Sequence, residues 1–486
     1  MRLAAIALVC GTLLVAASAS AGPAAKQGGD WTRFGYTSAR SNAGPEKTGL
    51  TAGNVGSLVR QQIALEGTVD SSPLYVRAYR IEGEVRDAFL VQTTYGLVYA
   101  IEADTGEVLW RFEPAGYDSF AGSREITTAS PVVDTARGFV YSVSPDGLVH
   151  KLTLSDGAEV DSGEWPARIT LDAAHEKITS PLGLWGNLVA ATTSSFGDVP
   201  PYQGHVVTID RDTGRIVHVW NALCSDRHEL MDPTTCLNGA RTDVISGASI
   251  WARAGAVRQP GTGNLLVTTA NGIYDGHGRW STSVLVLSPD AGRLLKYWTP
   301  TNWETLSAED LDLGSTGPAL LTPNLVVQGG KDAKLRLLDV RKFHSPPSAG
   351  KPPVLSTALQ TFSSPAGGIV FTAPAVWKRS GVTWLFVATN KGFSAYVLRD
   401  RRLVRRWTKN VGGTSPVVAG GLLYVYDWDG GELNVYVPTT GKLVAALPVG
   451  RGHWNTPIVT DGRIALGQED ANAHVTFGVL NIYRLP

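Results

Sequence analysis

The stretch "ADTGEVLWRFEP", residues 103–114, reads as the end of one strand, a tight corner and a second strand. Its Asp-Thr-Gly corner suits a turn, because Asp bonds its own backbone and Gly accepts the positive φ of the last position. Variants return as "TLSDGAEVDSGEWP", "DRDTGRIVHVWNA", "SPDAGRLLKYWTP", "LRDRRLVRRWTKN" and "VPTTGKLVAALPVG". An aromatic falls four or six residues past the Gly position, at Trp110, Trp220, Trp298 and Trp407. Four and six differ by one strand period, so these rings share a sheet face. Their size predicts packing between neighbouring sheets.

A second signal precedes the corners. "SSPLYV", "ASPVVD", "TSPLGL", "TGPALL", "TAPAVW", "TSPVVA" and "NTPIVT" each set a small or hydroxyl residue and a proline ahead of an apolar strand, at Pro73, Pro131, Pro181, Pro318, Pro374, Pro416 and Pro457. The wide gap between Pro181 and Pro318 holds "SGASIW", ending at Trp251, an eighth start without the proline. Eight starts at spacings of roughly 40 to 70 residues form an array in the size range of propeller blades. Low Met, abundant Gly and Val- and Tyr-rich alternation point to an all-β chain. The last repeat stops at "GVLNIYRLP" with no outer strand, which would leave a bare sheet edge. Near the start, "GSLVRQQIALEG" is a strand without a blade. The expectation is an eight-bladed β-propeller, closed by this N-terminal strand completing the last blade. It forms one domain over residues 30–486, with 22–29 as a flexible mature N-terminus.

Arg2, the apolar run "LAAIALVCGTLLVAA" and the ending "ASASA" form an export signal over residues 1–21, with cleavage after Ala21 favoured over Ala19. The run is short for a membrane span, and no later window approaches about 18 unbroken apolar residues. A lipoprotein anchor at Cys10 is disfavoured, because Val9 precedes it where a small residue belongs. A periplasmic or secreted location follows. There Cys224 and Cys236, in "CSDRHELMDPTTC", read as one disulfide stapling a long loop. The rival is a metal or haem site, but the chain has no C-x-x-C. Lys plus Arg number 43 and Asp plus Glu 43, a balance that argues against nucleic-acid binding. The one basic cluster, "RDRRLVRRWTK" from Arg399 to Lys409, reads as a solvated strand face, with docking of an acidic partner as the alternative.

From "DWTRFGYTSARSNAG" near residue 30 to "RGHWNTPIVTDGRIALGQED" near the end, and most of all in "YAIEADTGEVLW", the chain resembles the pyrroloquinoline-quinone (PQQ) repeat propellers. These are the superfamily of quinoprotein alcohol dehydrogenases and of the envelope-assembly propeller lipoproteins. In the dehydrogenases a quinone lies over the propeller axis with a calcium ion and an aspartate base, so the resemblance implies where such a site would be. "SGASIWARAG" nominates Trp251 as the aromatic floor, "LLVTTANG" nominates Asn271 as a metal ligand, "EDLDLGSTGP" nominates Asp312 or Asp310 as the base, and "VVQGGKDAKLRLLD" nominates Lys331 beside the quinone oxygens. The chemistry suits each type. A planar cofactor wants an aromatic platform, calcium wants oxygen donors, alcohol oxidation wants a carboxylate base, and a quinone carbonyl wants a nearby cation.

The chain also departs from that pattern. The vicinal cysteine pair is absent where "DSFAGSREITTASP" stands, and Arg124 lies near but out of register for the expected arginine. In place of the metal-binding Glu, "SSFGDVPPYQG" offers Asp198, about one residue out of step. Asp70, in "TVDSSP", stands roughly where the family has a quinone-binding Glu. Each nominee has a plainer reading: Trp251 packing at the axis, Asn271 turning before Gly272, Asp310 and Asp312 capping a loop, Lys331 in a surface turn with Asp332. Two functions follow. One is an exported platform for an envelope or extracellular protein partner or a small-molecule ligand, with a partly retained quinone site. The other is a PQQ- and calcium-dependent dehydrogenase of an alcohol or sugar, which would need a separate electron acceptor because the chain has no haem motif. An incomplete ligand set favours the platform.

Overall fold

The computed structural model describes residues 27–237 and 247–486. The export signal and most of the segment expected to be flexible lie outside the described residues.

Among the described residues the repeat builds eight four-stranded antiparallel sheets, with one extra two-stranded ladder. Seven sheets take four strands in chain order, beginning at Leu74, Val132, Gly183, Val257, Ala319, Ala375 and Val417. These are blades 1 to 7. Blade 8 contains Ile458–Thr460, Arg463–Gly467 and Phe477–Arg484, and its outermost strand is Val59–Glu66. That strand runs antiparallel to the last one, from Val59 opposite Arg484 to Glu66 opposite Phe477. The predicted clip therefore closes the ring and pairs the edge that would otherwise be bare. The fourth start differs in detail. Its first strand is Val257–Arg258, beyond Trp251, so the proline-free lead-in reaches towards the axis before the sheet begins.

The first strands of neighbouring blades lie side by side, Val132–Asp134 with Gly183–Trp185 and Ala375–Arg379 with Val417–Ala419, which places them innermost. Burial falls outward as this arrangement requires. Val98–Glu102 is almost wholly enclosed, whereas in Val108–Phe112 the buried Trp110 and Phe112 alternate with exposed residues. The recurring corner behaves as its chemistry predicts: in blade 3 the Asp210 carboxylate accepts from the backbone N–H of Asp212 at 3.1 Å and of Thr213 at 2.9 Å.

The tryptophans join blade to blade. Trp110 covers Gly157 in the corner of blade 2 and donates its Nε1–H to Leu154 O at 3.1 Å. Trp407 covers Gly441 of blade 7 and donates to Pro438 O at 3.0 Å. Gly157 has φ 71°, and a Cβ there would stand 2.4 Å from the Trp110 ring, so both backbone and space require glycine. Trp220 and Trp298 are buried among side chains of adjacent sheets. Cys224 and Cys236 form the expected disulfide, with Cα atoms 5.4 Å apart, against the Trp220 cluster. The basic cluster forms the outermost strand of blade 6, Arg402–Lys409, and Arg401 beside it pairs with Asp339 of blade 5 at 2.6 Å.

The segment before the clip closes one end of the axis by walking round the ring. Trp31 bridges to Tyr75 of blade 1 and Arg33 to Val132 of blade 2. Arg40 donates to Leu182 O ahead of blade 3 at 2.8 Å. Asn42 donates to Ala373 O ahead of blade 6 at 3.1 Å, and Gly29 N donates to Thr460 Oγ1 of blade 8 at 3.2 Å. A ligand therefore has the other end of the axis to enter.

Candidate functional site at the open end of the axis

The residues leading into the first strands meet at this end. Asp70, Thr128, Phe371, Gly413 and Trp454 each stand three positions ahead of a blade proline. Equal offset in equivalent blades brings them to equivalent places round the hub. A cleft of about 280 Å³ is lined by Lys177, Asp198, Trp251, Asp312, Lys331 and Trp454, with Thr128 and Phe371 on its wall. An adjoining lobe of about 200 Å³ shares Phe371 and Trp454 and adds Trp428 and His453.

The floor is aromatic. The Trp251 and Trp454 rings stack with centroids 5.6 Å apart and planes 24° apart. Phe371 and His453 also stack on Trp454, at 6.4 and 4.1 Å. Arg253, fully buried beneath them, donates to Thr128 O at 2.5 Å, Asp70 O at 2.9 Å and Trp454 O at 3.2 Å. One guanidinium thus binds the lead-ins of blades 1, 2 and 8 to that of blade 4, and holds the shelf rigid.

One wall carries charge. Lys331 Nζ lies 2.7 Å from Asp312 Oδ2, 3.1 Å from both Asp310 oxygens and 5.7 Å from the Trp251 ring centre. Burial pushes the Asp312 carboxyl above the ordinary carboxylate range, against the pull of Lys331 and of the Asn271 N–H, which donates to its other oxygen at 2.9 Å. Burial acts to lower the Lys331 ammonium, but Asp312 and Asp310 outweigh it and hold its pKa above the usual lysine value. Asn271 is buried beside this pair; its Nδ2 donates to Asp310 at 3.0 Å, while its Oδ1 has no hydrogen-bond partner among the described residues.

Four nominees therefore form one cluster: Trp251, Asp312, Lys331 and, at its buried edge, Asn271. Asp310 joins it through Lys331, but its side chain is 74% exposed. Asp198 lines the same cleft, held by the Ser195 hydroxyl, which donates to its Oδ1 at 2.9 Å. Asp70 does not line the cleft. It is buried under the shelf, where Oδ1 accepts from Trp454 N at 2.9 Å and Oδ2 lies 2.6 Å from His453 Nδ1. Its charge positions the aromatic stack.

Solved structures with a similar fold include two dehydrogenases and BamB. The quinohemoprotein alcohol dehydrogenase of Comamonas testosteroni aligns over 94% of this chain and 81% of its own, at 14% identity and TM-score 0.68. A europium-containing methanol dehydrogenase aligns over 94% and 98%, at 16% identity and TM-score 0.68. BamB from Moraxella catarrhalis aligns over 88% and 100%, at 12% identity and TM-score 0.51. The chain folds as an eight-bladed β-propeller of PQQ-like architecture. In sequence, a family profile described as outer membrane protein assembly factor BamB matches residues 80–232 of this propeller. None of the curated proteins matches it. Identities this low establish the propeller's fold and leave its function to the site.

Sequence reasoning missed Phe371, Trp454 and Lys177. The first two carried a usable signal, because they share the offset from proline that Asp70 has. Lys177 carried none: it stands on the extra ladder, Glu176–Lys177 paired with Ser194–Ser195, which interrupts blade 3 of the propeller.

Proposed function

We propose that this propeller is an exported binding platform whose axial cleft takes a flat, anionic aromatic ligand of the quinone class. The supporting observation is the convergence of a stacked aromatic shelf, Trp251 and Trp454, with the Lys331 ammonium in one cleft. Stacking supplies area for a planar ring, and the cation, already over the edge of that shelf, favours negative charge on it. Export is consistent with the Cys224–Cys236 disulfide, and among the described residues no helix is long and apolar enough to cross a membrane. Titration with PQQ, with and without calcium, followed by tryptophan fluorescence and thermal shift, tests the reading. Saturable quenching at micromolar ligand supports it, and no response up to tens of micromolar refutes it.

A second reading, a PQQ- and calcium-dependent alcohol or sugar dehydrogenase, is favoured by one observation. Among the described residues Asn271 Oδ1 is a buried oxygen without a hydrogen-bond partner, on a residue whose backbone N and Nδ2 reach the carboxylates of Asp312 and Asp310, and such oxygen donors suit a hard cation. Asn271, Asp310 and Asp198 would hold the calcium, and Asp312, with its raised pKa, would accept the hydroxyl proton of the alcohol. The bound quinone would supply the hydride acceptor. Lys331 would keep Asp312 oriented. Alcohol-dependent reduction of an artificial dye by the PQQ- and calcium-loaded protein, lost in Asp312→Asn, distinguishes this reading from a platform that binds without turnover.

A further inference from the structure

Lys177 is a lysine in an unusual place. The period-2 alternation of its short strand sends Glu176 one way and Lys177 the other. Glu176 enters a buried network, accepting from Gln203 N at 2.8 Å and lying 3.0 Å from His205 Nε2. Lys177 lines the cleft, with Nζ 5.8 Å from the Phe196 ring centre. Among the described residues its ammonium makes no hydrogen bond and no ion pair, unlike Lys331 in the same cleft, which takes two carboxylates.

An unpaired amine beside an aromatic shelf has a chemistry of its own. We propose that Lys177 is a nucleophilic amine that captures an aromatic aldehyde or ketone in the cleft as an imine. The amine lone pair adds to the carbonyl carbon, giving a carbinolamine. Loss of water then leaves a C=N bond to Nζ, the carbonyl oxygen departing in that water with two protons from the amine, and nothing is oxidised or reduced. The shelf of Trp251, Phe371 and Trp454 holds the ring of such a compound. The hydroxyls of Thr128, Thr179 and Ser194 on the cleft wall supply polar contacts for the carbinolamine. The free-base form is accessible: burial pushes Lys177 down to about 8, against the upward pull of Asp70 and Asp198. Across the cleft, Lys331 is held by Asp312 at 2.7 Å and Asp310 at 3.1 Å, so neither carboxylate is free to pair with Lys177. The inference shares the cleft with the function proposed above but does not require a quinone.

The test is reductive trapping on the full-length protein with benzaldehyde and cyanoborohydride, read by peptide mapping. Lys177 is expected to be benzylated at least fivefold faster than the exposed Lys47 and Lys442, at a rate that rises through about pH 8, and to prefer benzaldehyde to acetaldehyde more than the exposed lysines do. In Lys177→Arg, with the fold checked by circular dichroism, the fast phase disappears. Labelling of Lys177 no faster than of the exposed lysines, or equal preference for the two aldehydes, overturns the proposal. Trapping that persists without any PQQ binding would overturn the quinone reading alone, and PQQ binding without trapping would overturn this one alone.

Discussion

Trp251 and Trp454 meet face to face, 5.6 Å apart, from the lead-ins of blades 4 and 8. In an eight-bladed ring these blades are diametrically opposed, so the pair spans the axis and turns a channel into a shelf. Everything proposed for ligand binding rests on this shelf.

Removing one ring should therefore weaken ligand binding without opening the propeller. Trp251→Ala is expected to lower affinity for PQQ about tenfold, the size of one lost stacking contact of roughly 1–1.5 kcal/mol. Fluorescence titration measures it. Thermal unfolding should fall little, because Trp251 is only half-buried.

The pair Lys331–Asp312 predicts a stability change with a pH signature. Lys331→Met leaves the Asp312 side chain, 9% exposed, without its cation. At pH 7 the cost should be about 3 kcal/mol, the low end for a broken buried pair because the Asn271 N–H still meets the carboxylate. Burial already raises the Asp312 pKa above its unfolded value, and without Lys331 it rises further. A carboxyl with a raised folded pKa binds more protons folded than unfolded, so the variant should recover stability as pH falls towards the ordinary carboxylate range. Urea unfolding at pH 7 and pH 4.5 checks this, and an equal deficit at both would contradict it.

His205 makes the opposite prediction. It is fully buried against Glu176; burial lowers its pKa, but the Glu176 carboxylate and the Asn221 amide outweigh that, and the net shift is upward. A histidine with a raised folded pKa stabilises below its unfolded value of about 6.5 and loses that contribution as pH rises through the folded one. Wild type should lose stability over that range, and His205→Gln should show a flatter profile. Melting temperature against pH from 5 to 9 measures the difference.

At the blade junctions, Gly157→Ala should be among the most damaging conservative changes in the chain. The new methyl would overlap Trp110 and sit at positive φ, so a loss of about 2–4 kcal/mol is expected. Trp110→Ala should cost about 3–5 kcal/mol. The double variant should cost less than the sum, because the methyl then enters space the ring has left.

Reduction of Cys224–Cys236 should lower stability by about 2–3 kcal/mol, as expected for a loop of eleven residues between the cysteines. Thermal melts with and without reductant measure it.

The corner of residues 103–114, repeated along the chain, determined the blades, and a last repeat without an outer strand determined the clip of Val59–Glu66 on Phe477–Arg484. Both follow from local rules: turn chemistry, strand alternation and the need to pair an edge. Trp251, Asp312 and Lys331 were legible because each lies in a short motif that resembles a known site. What they touch was decided only by tertiary structure. Asp70 appeared as a ligand-facing acid, yet the closed ring buries it and assigns its oxygens to Trp454 and His453. Trp454 and Lys177 line the cleft because closure brings blade 8 opposite blade 4 and because a two-residue ladder lifts an amine over it. The physical reason is one of range. Strands and corners are set by neighbours in sequence, whereas an axial site is assembled from lead-ins that meet only after the whole ring has closed.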